Sequence, residues 1–69
     1  MKNFQKYYEV VSTNGYDEFI HYQGYSLRNA RKHYESGREI RQYFPEKPIS
    51  QMTDAELSFM YCNGYNIVR

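Results

Sequence analysis

Tyr7-Tyr8-Glu9-Val10-Val11-Ser12-Thr13-Asn14-Gly15-Tyr16-Asp17-Glu18-Phe19-Ile20-His21-Tyr22 is the stretch whose reading decides the fold. Residues 4 to 12 and 16 to 25 are rich in Tyr, Val, Phe and Ile. The Asn14-Gly15 pair between them favours a two-residue type I′ turn, in which both central positions need positive φ. A β-hairpin turning there sets Thr13 opposite Tyr16, Val11 opposite Glu18, Val10 opposite Phe19, Tyr8 opposite His21 and Tyr7 opposite Tyr22.

This register defines two faces. One carries Phe4, Tyr8, Val10, Phe19 and Tyr25, interrupted by Lys6 and His21; the other carries Tyr7, Val11, Tyr16, Ile20 and Tyr22, interrupted by Glu9 and Glu18. Phenylalanine has no polar atom to satisfy and is more often fully buried than tyrosine, which assigns the first face to the core. The Tyr7, Tyr16 and Tyr22 face then looks outward, unless a third strand or the C-terminal helix covers it as a second core layer.

Working outward, Ser26 suits a helix N-cap, and Leu27, Ala30 and Tyr34 recur at i, i+3 and i+7 before Gly37, predicting a helix over 27–36. Its apolar stripe would pack on the hairpin and leave Arg28, Arg31, Lys32 and Glu35 in solvent. Residues 39 to 44 fit both a strand, through Ile40, Gln42 and Phe44, and a helix, through Ile40, Tyr43 and Phe44; a third strand is favoured. Pro45 and Pro48 make residues 45 to 51 an extended connection. Thr53-Asp54-Ala55-Glu56 matches a capping box with Met52 and Leu57 as a hydrophobic staple, and Asn63-Gly64 stops that second helix. Tyr65 to Val68 would return as a short strand. The whole reads as one compact α+β domain over residues 1–69: an N-terminal hairpin packed on a helix, a third strand and a short C-terminal helix.

A chain of 69 residues has room for one core, since a domain this small buries only about 60% of the surface its unfolded chain exposes. Its nine tyrosines and four phenylalanines, with no tryptophan, supply more ring surface than a small interior needs, leaving rings for an external contact. Self-association or a protein partner follows as an expectation. Cys62 is the single cysteine, which excludes an internal disulfide and fits a reducing, cytoplasmic setting. No basic segment followed by an apolar run opens the chain and no stretch of about 20 apolar residues occurs, so neither export nor membrane spanning is expected.

Charge is polarised locally. Residues 28 to 44 hold Arg28, Arg31, Lys32, Arg38 and Arg41 against Glu35 and Glu39, while the formal charge of the whole chain is only +1. Basic side chains on one helix face can neutralise phosphates while nearby tyrosines stack on bases, which makes these five residues the candidates for nucleic acid or an acidic partner. Interleaved glutamates and the small net charge argue for a plain solvated face.

Catalytic chemistry finds little purchase. His21, His33 and Cys62 lie far apart without metal-ligand spacing, so no metal and no cofactor is expected. Cys62 falls in the last turn of the second helix, where the dipole disfavours a thiolate, and reads as a small packing residue. Glu9 and Glu18 come near one another in the register above, but an open hairpin face offers no pocket to exclude water around them. Four isolated glycines form no phosphate-cradling loop.

The sequence therefore points to a small non-enzymatic protein-binding module, a regulator or inhibitor of a macromolecular partner, with Tyr7, Val11, Tyr16, Ile20 and Tyr22 as its protein-binding candidates. The alternative is a nucleic-acid-binding accessory protein using the basic helix.

Overall fold

The computed structural model describes residues 5–68. Four strands, β1 (Tyr7–Asn14), β2 (Asp17–Gly24), β3 (Arg38–Tyr43) and β4 (Asn66–Val68), form one sheet in the order β2-β1-β3-β4, and every neighbouring pair is antiparallel. Helix α1 (Leu27–Lys32) joins β2 to β3, and a 3₁₀ turn (Ile49–Gln51) followed by helix α2 (Asp54–Cys62) joins β3 to β4. This is the expected α+β class, and the ambiguous stretch 39 to 44 resolves as a strand over Arg38–Tyr43, with Phe44 exposed beyond its end, because Ile40 and Tyr43 pair with Val10 and Tyr7 of β1 and are buried by doing so.

The hairpin forms, but its register differs from the expectation. Its loop is Gly15-Tyr16, flanked by the pair Asn14 and Asp17, so Thr13 faces Glu18, Ser12 faces Phe19 and Val11 faces Ile20. Gly15 has φ 68°, and among the described residues no non-glycine residue has positive φ. One positive φ, at the first loop position, is the type II′ pattern; it spares Asn14 the left-handed conformation that type I′ would impose. The slide by two residues keeps Val11 and Ile20 on a common face. Between Val10 and Val11 the ladder then shifts again, so that Val10 pairs with Tyr22 and His21 is the extra residue of a β-bulge. Beyond it Tyr22 has crossed to the opposite face.

Both faces of the sheet are covered, each by one helix. On one, Tyr8, Val10 and Ile40 pack with Ala30 of α1, and Tyr22, Leu27 and Val68 close around them. On the other, Tyr7 and Tyr43 pack with Met60 of α2, flanked by Ile49, Met52 and Leu57. The second-layer arrangement is thus the one adopted: Tyr7 and Val11 are buried rather than outward-facing. Of the expected core face, Tyr8 and Val10 are buried, Phe19 and Tyr25 are exposed, and Phe4 lies outside the described residues.

The helix ends follow local chemistry. Ser26 Oγ accepts the Asn29 N–H at 3.1 Å, as an N-cap should. α1 stops at Lys32, four residues short of the expected end: the His33 ring bonds the Asn29 carbonyl at 2.9 Å, and Arg38 donates to the His33 carbonyl at 2.7 Å. These side chains satisfy carbonyls that another helical turn would have used. Gly37 serves the following turn instead, with φ 91° and the Arg38 N–H bonded to the Glu35 carbonyl. In α2 the capping box is complete, Thr53 and Glu56 exchanging bonds of 2.9 and 3.2 Å, and Gly64 ends the helix at φ 91° with its N–H on the Tyr61 carbonyl.

Candidate functional site

Under α2 the sheet carries a polar aromatic cluster. Glu9, the one buried charged residue among those described, is 3% exposed. The Tyr61 hydroxyl donates to its Oε2 at 2.7 Å and Gln23 Nε2 donates to the same oxygen at 3.2 Å. The Tyr7 ring, on the same face, meets Tyr25 edge-on at 5.6 Å and Tyr43 at 6.3 Å. Tyr43 in turn meets Tyr61 edge-on at 5.0 Å. Burial, then the Glu9 carboxylate, pushes the Tyr7 and Tyr61 phenols well above their ordinary range, and burial raises Tyr43 as well.

Arg41, the cross-strand partner of Glu9, leans away from it toward Glu39 and Glu18, bonding Glu18 Oε2 at 3.2 Å, and lies 4.6 Å over the Tyr65 ring. Burial works against its charge, but the bonds to Glu39 and Glu18 outweigh this and hold the guanidinium above its usual value. Each buried side-chain polar atom among the described residues has a partner. The cluster is therefore a satisfied structural network that fixes α2 on the sheet. Glu9 and Glu18 do not form the acid pair expected, because Glu9 stands opposite Gln23 and Glu18 opposite Thr13, four residues along β1.

The protein-binding candidates separate into two groups. Tyr7 and Val11 are interior. Tyr22 is half-buried, stacked on His33 at 5.1 Å and 21°. Tyr16 at the hairpin tip is fully exposed, and Ile20 is 51% exposed. Phe19, which the sequence reading placed in the core, is 48% exposed beside them. Phe19 and Ile20 stand on opposite faces of β2, the outermost strand on its side of the sheet, and Tyr16 lies in the loop that leads into it. The tip also projects past β3, whose pairing with β1 ends at Ser12.

The strand edge there is open. A two-residue loop makes its flanking pair, Asn14 and Asp17, exchange both hydrogen bonds, and bonded and non-bonded pairs then alternate along an antiparallel ladder. Thr13–Glu18 and Val11–Ile20 are consequently the non-bonded pairs, so Glu18 and Ile20 aim their N–H and C=O groups away from β1. Asp17 to Ile20 is thus a short exposed template, with apolar side chains on both faces and a bulge closing it at His21.

The basic candidates also divide. Arg28, Arg31 and Lys32 are exposed on α1, and Arg38 stands on the same face of the sheet, tied to Glu35 at 3.8 Å. Arg41 is on the opposite face and engaged as described. A groove of about 540 Å³ borders Arg31, Tyr34, Arg38 and Val68. His21 bonds Ser12 Oγ at 2.7 Å, and Cys62 is exposed rather than packed. Among the described residues no three His, Cys, Asp or Glu side chains converge as metal ligands, and no helix is long and apolar enough to cross a membrane.

Comparison of the chain with protein-family models, with curated proteins and with solved structures finds no match in any of the three.

Proposed function

We propose that this chain is a non-enzymatic, cytoplasmic protein-binding module, a regulator or inhibitor that docks on its partner through the outer strand of its hairpin. The observation carrying this reading is the exposure of Phe19 and Ile20 on a strand whose outer backbone edge is unpaired, with the exposed Tyr16 at the loop leading into it. Strand addition uses that combination: main-chain bonds supply affinity, and alternating side chains supply specificity. The cluster under α2 supports the reading indirectly, because the Tyr61 hydroxyl donates to Glu9 and the Tyr8 hydroxyl accepts from Gln42, so these groups serve the fold.

Affinity capture from the native host followed by mass spectrometry tests the proposal, with Ile20→Lys as the comparison. A partner recovered in stoichiometric amount by the native chain and lost with the variant is expected. Recovery of no protein, or of one indifferent to Ile20→Lys, overturns it.

A second reading, a nucleic-acid-binding accessory protein, draws on the grouping of Arg28, Arg31, Lys32 and Arg38 about α1. It loses the contribution of Arg41 and meets Glu35 within the cluster. It predicts a low-salt gel shift abolished by charge reversal at Arg28 and Arg31.

A further inference from the structure

We infer that the partner strand is a second copy of this chain, paired antiparallel along Asp17–His21 about a two-fold axis through Phe19. This rests on the reading of β2 as the docking edge and names its occupant.

The edge geometry restricts the register. Only Glu18 and Ile20 turn both backbone groups outward before the bulge, so these residues must form the bonded pairs across the axis. Three symmetric alignments bring them into play. Glu18 opposite Glu18 sets like charges face to face, which is destabilising. Ile20 opposite Ile20 drives Glu18 onto Tyr22 and carries the ladder through the bulged residue, where pairing is broken. The remaining alignment sets Glu18 opposite Ile20 twice, giving four main-chain hydrogen bonds, and leaves Phe19 opposite Phe19.

Every side-chain pairing in that alignment is compatible. Phe19 falls at a non-bonded pair, where side chains approach most closely, so two half-exposed rings cover one another at the axis. Asp17 falls opposite His21, whose Nε2 is taken by Ser12 Oγ at 2.7 Å and whose Nδ1 remains to meet the acid. The Glu18 charge is already answered within its own chain by Arg41 at 3.2 Å, which lets it lie beside Ile20. The bulge, usually a device that blunts an edge, here blocks sliding in one direction and so selects the register. The product is a continuous eight-stranded sheet, twice the four of one chain. The strand Asp17–His21 offers far fewer residues than the roughly 20 to 30 a side of a standard complex, so association is weak and concentration-dependent.

Sedimentation velocity across a micromolar to millimolar series tests this on the full chain, with two variants. Ile20→Pro removes an N–H that points away from β1 and makes no bond within the chain, and proline is accepted at such edge positions. Phe19→Lys sets two ammonium groups at the axis. The native chain should pass from monomer to dimer, and both variants should remain monomeric across the series with unchanged circular dichroism. If Ile20→Pro fails to fold, Phe19→Lys carries the test alone. A native chain monomeric throughout, or a dimer indifferent to the variants that fold, overturns the inference. A monomeric native chain that still captures a host protein in an Ile20-dependent manner removes self-pairing while leaving the docking edge standing.

Discussion

Removing the Tyr61 hydroxyl is the most informative perturbation of the interior. Tyr61 Oη donates at 2.7 Å to Glu9, which is 3% exposed. A hydrogen bond to a charged group contributes about 1.5 to 3 kcal/mol, and a buried acceptor left short of donors accounts for much of that. Gln23 at 3.2 Å still serves the same oxygen. The loss in Tyr61→Phe therefore belongs in the lower part of the range, about 1.5 to 2 kcal/mol. For a domain of this size each kcal/mol lowers Tm by about 4 to 8 °C. Urea unfolding followed by circular dichroism measures the change. The control is Glu9→Leu, which removes the carboxyl altogether; Tyr61 is partly exposed and its hydroxyl can then turn to water. In that background Tyr61→Phe should cost about 0.5 kcal/mol or less, giving a coupling of roughly 1 kcal/mol or more by double-mutant cycle. A loss below about 0.5 kcal/mol in the native background, or equal losses in both, would refute the account of Glu9 as a buried acceptor held by α2.

Other consequences are tested more simply. The raised phenols of Tyr7, Tyr43 and Tyr61 bind protons more tightly folded than unfolded, so their contribution is full below the ordinary tyrosine value of 10.0 and is lost as pH rises beyond it. Unfolding should therefore coincide with tyrosinate absorbance in an alkaline titration, and Tyr61→Phe should flatten the pH slope. Thr53→Ala breaks the capping box of α2 and should cost about 1 kcal/mol in urea unfolding. Gly15→Ala meets no neighbouring atom, so its cost is conformational, about 1 kcal/mol from the positive φ alone, with no change in the sheet's circular dichroism.

Much of the fold was legible from the residues because local signals agreed: Ser26 and Thr53 as caps, Gly64 as a stop, and the apolar alternation around Asn14-Gly15. The turn was ambiguous at atomic level. Asn14-Gly15 and Gly15-Tyr16 both make two-residue loops, and the second places a single glycine at positive φ without asking the same of asparagine. The bulge at His21 has no marker in composition, yet it alone moves Tyr22 to the other face. The core-face choice failed for a different reason. Phenylalanine is the easier residue to bury because it has no hydroxyl to satisfy, but the chain supplies a partner for the buried Tyr8 hydroxyl, to which Gln42 donates at 3.2 Å, while the Tyr61 hydroxyl reaches in from an exposed ring to the buried Glu9. Tyr7, Tyr8 and Tyr43 fill the interior, and Phe19 and Phe59 remain outside. The contact surface was therefore read from the right strand, through Tyr16 and Ile20, but with two interior residues, Tyr7 and Val11, counted among its members.

Amide hydrogen exchange resolved to single residues of β2 tests the docking edge most directly. In dilute protein the Glu18 and Ile20 amides should exchange almost as freely as those of an unstructured chain, while Phe19 between them is protected by its bond to β1; raising the concentration or adding a captured partner should then slow Glu18 and Ile20 together. Protection of Ile20 already present in dilute monomer, or exchange at both amides unmoved by any partner, would contradict the account.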